Sequence, residues 1–144
     1  MHRAGASLIL IIAAMLPNAA EACACPVNPL EELVPRLGVL FEGQVDGAPS
    51  RVVGSAADGP RDLYRFTVGR VWKGDVGPSF VVAYPPLQGA NCGLALKSGD
   101  KIVVGAYLVR DQPAQGNGCT YMNLNQPSLD ITRELGVPKR EHRR

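Results

Sequence analysis

Tyr64-Arg65-Phe66-Thr67-Val68-Gly69-Arg70-Val71-Trp72 sets apolar residues at Tyr64, Phe66, Val68 and Trp72 against the polar Arg65 and Thr67, with Arg70 breaking the alternation. A period of two is the signature of a strand with one buried and one wet face. Lys73-Gly74-Asp75 then turns the chain. Ser79 to Tyr84 is a short apolar strand stopped by Pro85-Pro86, since proline cannot donate to a ladder. Outward from this pair, Val39 to Val45 is β-rich, and Lys101 to Arg110 is a longer strand with both faces apolar around Val103-Val104. A last short strand is expected around Cys119 to Leu124. Five short strands with Gly-rich turns and a helix near each end fit a small five-stranded antiparallel barrel better than a sandwich of seven or more strands.

The flanking helices have their own signals. Asn28-Pro29-Leu30-Glu31 reads as a helix start, with Asn28 as cap, Pro29 in the first turn and Glu31 reaching back to the cap's amide. Pro35 stops or kinks that helix. Ser128 caps a second helix whose apolar face is Leu129, Ile131 and Leu135, ended by Gly136 and Pro138. Asp46 to Pro60, rich in Gly, Ala, Ser, Pro and Asp, reads as a long loop without core residues, and Gln112 to Gly118 as a shorter one. Trp72, the one tryptophan, belongs to the core.

The beginning of the chain reads as a signal peptide over residues 1–22. His2 and Arg3 precede an apolar run from Leu8 to Leu16, which is too short to span a bilayer, and Ala20-Glu21-Ala22 carries small residues where a signal peptidase inspects. Cleavage after Ala22 makes Cys23 the first mature residue. A lipid anchor on the sulfur of Cys23 is the minor alternative, since Glu21 suits such a site poorly. Residues 23–137 then form one domain, and 138–144 a disordered basic tail carrying Lys139, Arg140, Arg143 and Arg144. The expected setting is extracellular or periplasmic, with no membrane span.

All four cysteines, Cys23, Cys25, Cys92 and Cys119, lie beyond the signal, and an even number in an exported chain reads as a disulfide framework. Three pairings are possible. Bonding of Cys23 to Cys25 is the least favourable, because residues two apart on extended chain stand near the longest Cα separation a disulfide tolerates. Each long-range bond would contribute about 4 kcal/mol on the chain-entropy model. If reduced, Cys23 and Cys25 could hold a soft metal such as copper(I).

Composition narrows the chemistry further. The net charge is +2 and bases crowd the last residues, so the body is nearly neutral. A neutral exported body gives no electrostatic reason to expect nucleic acid. Only His2 and His142 are histidines, one in the signal and one in the tail, so Ser-His-Asp and Cys-His catalysis lack a base within the domain. Imidazole zinc sites lack ligands for the same reason. Neither GxxxxGK[ST] nor GxGxxG occurs. Glu31 and Glu32 are adjacent on a helix start and point apart, which suits the helix dipole and not an acid–base pair. The expectation is no enzyme, no cofactor and no metal of the chain's own.

Cys23-Ala24-Cys25-Pro26-Val27-Asn28-Pro29, the run Val39 to Val45, the stretch Phe66 to Gly74 ending Val71-Trp72-Lys73-Gly74, Asn91-Cys92-Gly93 and Cys119 together resemble one family. They look like the inhibitory domain of tissue inhibitors of metalloproteinases, in the netrin-like group. The resemblance covers most of residues 23–144, and its specific part is Cys-x-Cys at the mature terminus with two distant partner cysteines. It implies a Greek-key barrel of the oligonucleotide/oligosaccharide-binding fold, with Cys23 joined to Cys92 and Cys25 to Cys119. It also implies that the α-amine and carbonyl of Cys23 chelate the catalytic zinc of a target protease and that Ala24 enters its specificity pocket. Cys25, Pro26, Asn91 and Gly93 would form the contact ridge. The partner would be a zinc metalloprotease that supplies the metal, met by a monomer of this chain. Ala24 is smaller than the side chains usual there, which forfeits about 1 kcal/mol per missing methylene. The alternative reading is a non-inhibitory interaction module on the same barrel.

Overall fold

The computed structural model describes residues 25–26, 29–53, 59–88 and 92–142. In chain order these form α1 (Leu30–Arg36), β1 (Val39–Val45), β2 (Ser50–Val52), β3 (Arg61–Lys73), β4 (Ser79–Tyr84), β5 (Lys101–Ala106), β6 (Ala114–Gln115), α2 (Gly118–Leu124), α3 (Ile131–Leu135) and β7 (Arg140–Glu141). The molecule is mostly β, one curled, barrel-like sheet with short helices against it.

β3 organises the sheet because its 13 residues are long enough to serve four partners. One edge takes β2 at Arg61–Leu63 and then β1 from Phe66 to Lys73. The other takes β4 at Asp62–Thr67 and then β7 at Arg70–Val71. β1 pairs on its far side with β5, giving the order β5-β1-β3-β4-β6. β6 lies parallel to β4, and Gln115 exchanges two backbone hydrogen bonds (2.8 and 2.9 Å) with Tyr107, the residue after β5. The path therefore bends back to the strand on which it began. The amide side chain of Asn125 covers part of the remaining gap: Val103 N–H donates to its Oδ1 (3.1 Å), and its Nδ2 donates to Val103 O (3.0 Å).

Two apolar clusters sit on opposite faces of this sheet. Phe41, Tyr64, Phe66, Val68, Val71 and Val104 belong to the first, where Phe41 and Phe66 meet edge to face at 5.9 Å. Leu40, Trp72 and Val103 join Leu33, Leu37 and Leu124 of the helical layer in the second. The neighbours Val103 and Val104 thus face different cores, as a strand apolar on both sides requires.

Several expectations are corrected. Trp72 is core but does not share a face with Tyr64, Phe66 and Val68: the β1–β3 register shifts between Leu40 and Gly43, so Val71 stays with the first cluster and Trp72 turns to the second. A bulge of this kind adds one residue and inverts the parity beyond it. Among the described residues the sheet counts seven strands, five on its main path with β2 and β7 paired to β3 beside it, and the β4–β6 pair is parallel, so it is not wholly antiparallel. The Asp46–Pro60 loop contains β2, whose residues are exposed, and none of the loop's described residues belongs to the core. Cys119 to Leu124 is helical. Asn117 caps α2, accepting at Oδ1 from the amide (2.7 Å) and hydroxyl (3.0 Å) of Thr120, a local geometry that competes with strand. Asp130, not Ser128, caps α3. The cap position of α1 is Pro29, and Asn28 lies outside the described residues. The last strand run ends at Ala106 and not Arg110. The tail is not free along its length: Lys139 N–H donates to Val71 O (2.8 Å) and His142 N–H to Gly69 O (2.9 Å), flanking β7. His142 also places Nε2 3.0 Å from Val76 O, so this histidine is packed on the folded body.

Candidate functional site

Cys25 and Cys119 form a disulfide with a Cα separation of 5.0 Å, tying the start of the described chain to the first turn of α2. This is the pair that the family resemblance implies. Asn123, one turn further along α2, donates from Nδ2 to the carbonyl of Pro26 (3.2 Å). Pro26 is therefore fastened by both its preceding residue and its own carbonyl while its side chain stays exposed.

Cys92 approaches the same place from another loop. The amide of Gly118, the first residue of α2, donates to Cys92 O (2.7 Å), and a side chain at Gly118 would meet that oxygen at 2.8 Å. Cys92 is itself disulfide-bonded, and its Sγ lies 3.7 Å from Cys119 Sγ. Among the described residues no cysteine is free. Gly93 packs its backbone against Pro86, where a Cβ would run into the Pro86 carbonyl, and Leu94 N–H donates to Pro85 O (3.3 Å). The chain around Cys92 is thus wedged between the Pro85-Pro86 stop and α2. Met122 brings Sδ to 3.7 Å from Cys25 Sγ and remains 56% exposed.

Of the site residues expected from sequence, Cys25, Pro26, Cys92, Gly93 and Cys119 converge here. Cys23, Ala24 and Asn91 lie outside the described residues. The reading of residues 1–22 as a signal lies outside them too. Met122, Asn123 and Asn117 were missed as members of the region. Asn117, three residues before Thr120, was the legible signal for the helix that carries the other two.

The charged groups elsewhere are architectural. Glu42, on β1, accepts from Arg70 Nε (3.0 Å) and is also paired with Arg70 Nη2 and with Lys101 Nζ (3.0 Å). Burial pushes its carboxyl up, but the hydrogen bonds and charges of Arg70 and Lys101 outweigh that and hold it below the ordinary value. Arg70 also donates to Thr132 Oγ1 (3.0 Å) and covers the Trp72 ring at 5.2 Å, while Trp72 Nε1–H donates to Gly136 O (3.0 Å), so sheet and α3 are joined. Asp62 is buried and held bidentately by Arg51 (2.7 and 3.0 Å). Burial and neighbouring Tyr64 drive the Tyr84 phenol above its usual range, so it stays neutral. Glu31 and Glu32 occupy the exposed first turn of α1. No helix among the described residues is long and apolar enough to cross a membrane.

No protein-family model matches the chain, and comparison with curated proteins finds no match.

Proposed function

We propose that the chain is a secreted or periplasmic inhibitor of zinc metalloproteases, with Cys23 as its first mature residue. The observation that carries this reading is the fastening of Cys25-Pro26 to α2, by the Cys119 disulfide and by the Asn123 side chain. A backbone anchored directly after Cys23-Ala24 has less freedom to lose on docking. A catalytic zinc keeps one position open for water, and a neutral α-amine plus its own carbonyl can occupy it as a five-membered chelate. Ala24 then faces the target's specificity pocket. The chain contributes geometry and supplies no catalytic group.

The barrel fits an oligonucleotide/oligosaccharide-binding fold of netrin-like kind. Five strands follow one another cyclically as β1, β3, β4, β6 and β5, with the long β3 shared between the two halves, and such barrels are five-stranded and partly open.

The amine must lose its proton to bind metal. With an ordinary α-amino pKa of about 7.7 to 8.0, inhibition should strengthen between pH 7 and 8. One alanine added before Cys23 converts the amine into an amide without a usable lone pair, leaving the anchored region intact. Correctly processed and extended proteins of equal melting temperature should be compared against a panel of zinc metalloproteases with a fluorogenic peptide. Loss of inhibition in the extended form supports chelation, and equal inhibition by both refutes it.

The second reading, an interaction module of the envelope or extracellular space, is favoured by a groove of about 730 Å³ between α1 and α3, walled by Leu30, Val34, Leu129 and Leu135. Inhibition by neither form of the protein supports this reading.

A further inference from the structure

We infer that the groove between α1 and α3 takes a basic amphipathic peptide segment, with aliphatic side chains against its walls and lysine or arginine on Glu31 and Glu134. The inference deepens the module reading above and rests on it, since it names the partner such a module would hold. Leu30, Val34, Leu129 and Leu135 make the walls aliphatic, and the volume of about 730 Å³ lies in the range of sites that enclose most of a small ligand. The groove therefore accepts a few side chains, such as the anchors that an amphipathic helix presents three or four residues apart, and not a whole folded surface.

Charge decides which segment fits. Among the described residues lining the groove, Glu31 and Glu134 are the charged ones, and no lysine, arginine or histidine joins them. Both carboxylates are open to a ligand: Glu31 is exposed in the first turn of α1, and the Glu134 side chain is 42% exposed. Glu134 meets Arg133 through Oε1 (3.3 Å), an exposed contact between chain neighbours that competes little with an incoming cation. Apolar walls flanked by two acids repel an acidic segment or an anionic lipid surface and suit a ligand that is apolar and positive at once.

The walls are set before any ligand arrives. Lys73 Nζ donates to the carbonyls of Val34 (2.9 Å) and Pro35 (2.8 Å), which ties the end of α1 to β3. Leu30, Val34 and Leu135 pack on the second apolar cluster. The Asp130 cap, the Arg70 bond to Thr132 and the Trp72 bond to Gly136 hold α3. Asn123, which also lines the groove, is fixed on Pro26 beside the Cys25–Cys119 disulfide. Walls fastened in this way lose little freedom on binding. Leu129 is half-buried and belongs to neither apolar cluster, so its side chain serves the groove and not the core.

The test uses the exported protein with its disulfides formed and a fluorescein-labelled twelve-residue peptide, leucines at helical spacing and lysines between them, read by fluorescence anisotropy. This peptide should fill one saturable site, and versions with glutamate for lysine or serine for leucine should bind about tenfold more weakly or worse. Leu129→Ser should weaken binding about tenfold, and Glu31→Gln with Glu134→Gln about fivefold. The paired glutamine variant should also flatten the fall of affinity with salt. Glu32→Gln, in the same turn of α1 but outside the groove lining, should change binding by less than about twofold. All variants should melt as wild type. Equal binding of the lysine and glutamate peptides, an equal loss from Glu32→Gln and from the groove pair, or no loss in Leu129→Ser would overturn the inference. So would tighter binding to phosphatidylglycerol vesicles than to the peptide, or a dimer in sedimentation that Leu129→Ser dissociates, which would place a second copy in the groove. Any of these would leave the module reading to another surface. That reading itself fails in the protease panel, where inhibition by the processed form alone assigns the chain to the chelating mechanism.

Discussion

Glu42 shows how one buried charge is made tolerable. Its side chain is 13% exposed, and a lone carboxylate there would be driven to take up a proton, yet Arg70 and Lys101 keep it ionised. Because its folded pKa lies below the ordinary 4.5, its contribution is present above that value and is lost as pH falls through the depressed folded value. Glu42→Gln should therefore cost about 2 kcal/mol at pH 7 in urea unfolding. The gap to wild type should narrow as the pH is taken below 4; a gap unchanged down to pH 3 would contradict the assignment. Neither partnership was legible from sequence. Arg70 appeared only as a break in the alternation, and the bulge in its own strand explains why: β3 takes three residues from Val68 to Val71 where β1 takes two from Gly43 to Phe41, and Trp72 turns onto the other face.

At the level of elements, β1 and β4 form over the residues their sequences indicated, Val39–Val45 and Ser79–Tyr84, because apolar runs between turn residues have one good solution. Cys119–Leu124 misled for the opposite reason. Thr120 and Tyr121 favour strands, and the decisive signal is a single cap, since an intrinsic preference is worth less than the two hydrogen bonds that Asn117 makes. Asn117→Ala should destabilise the protein by about 1 to 2 kcal/mol in urea unfolding, and Asn117→Ser should recover most of the loss. A neutral alanine variant would mean that tertiary contacts alone hold α2. β2, β6 and β7 are three, two and two residues long, too short to carry a period. They form because β3 and β4 offer edges to pair with.

For the whole molecule, the Cys25–Cys119 bond spans 94 residues, so on the chain-entropy model its loss should cost about 4 kcal/mol. Replacing both cysteines by Ser and measuring the melting temperature checks this; an unchanged value would show that the bond does not constrain the unfolded chain. The sequence marked the cysteines as staples but left three pairings open, because pairing depends on which distant loops the sheet gathers. Here the Pro85-Pro86 stop and the start of α2 deliver Cys92 and Cys119 to one end of the sheet. That sheet meets itself through two hydrogen bonds at Tyr107 and Gln115, one short parallel strand and the Asn125 amide, whereas β1 and β3 are joined over most of their lengths. A curled sheet joined so sparingly there should open along that line first. In native-state hydrogen exchange, the amides of Tyr107 and Gln115 should become labelled well before those of Phe41 and Val68, through openings that leave the rest of the sheet unlabelled. Simultaneous labelling of all four would mean that the ring parts only when the whole molecule unfolds.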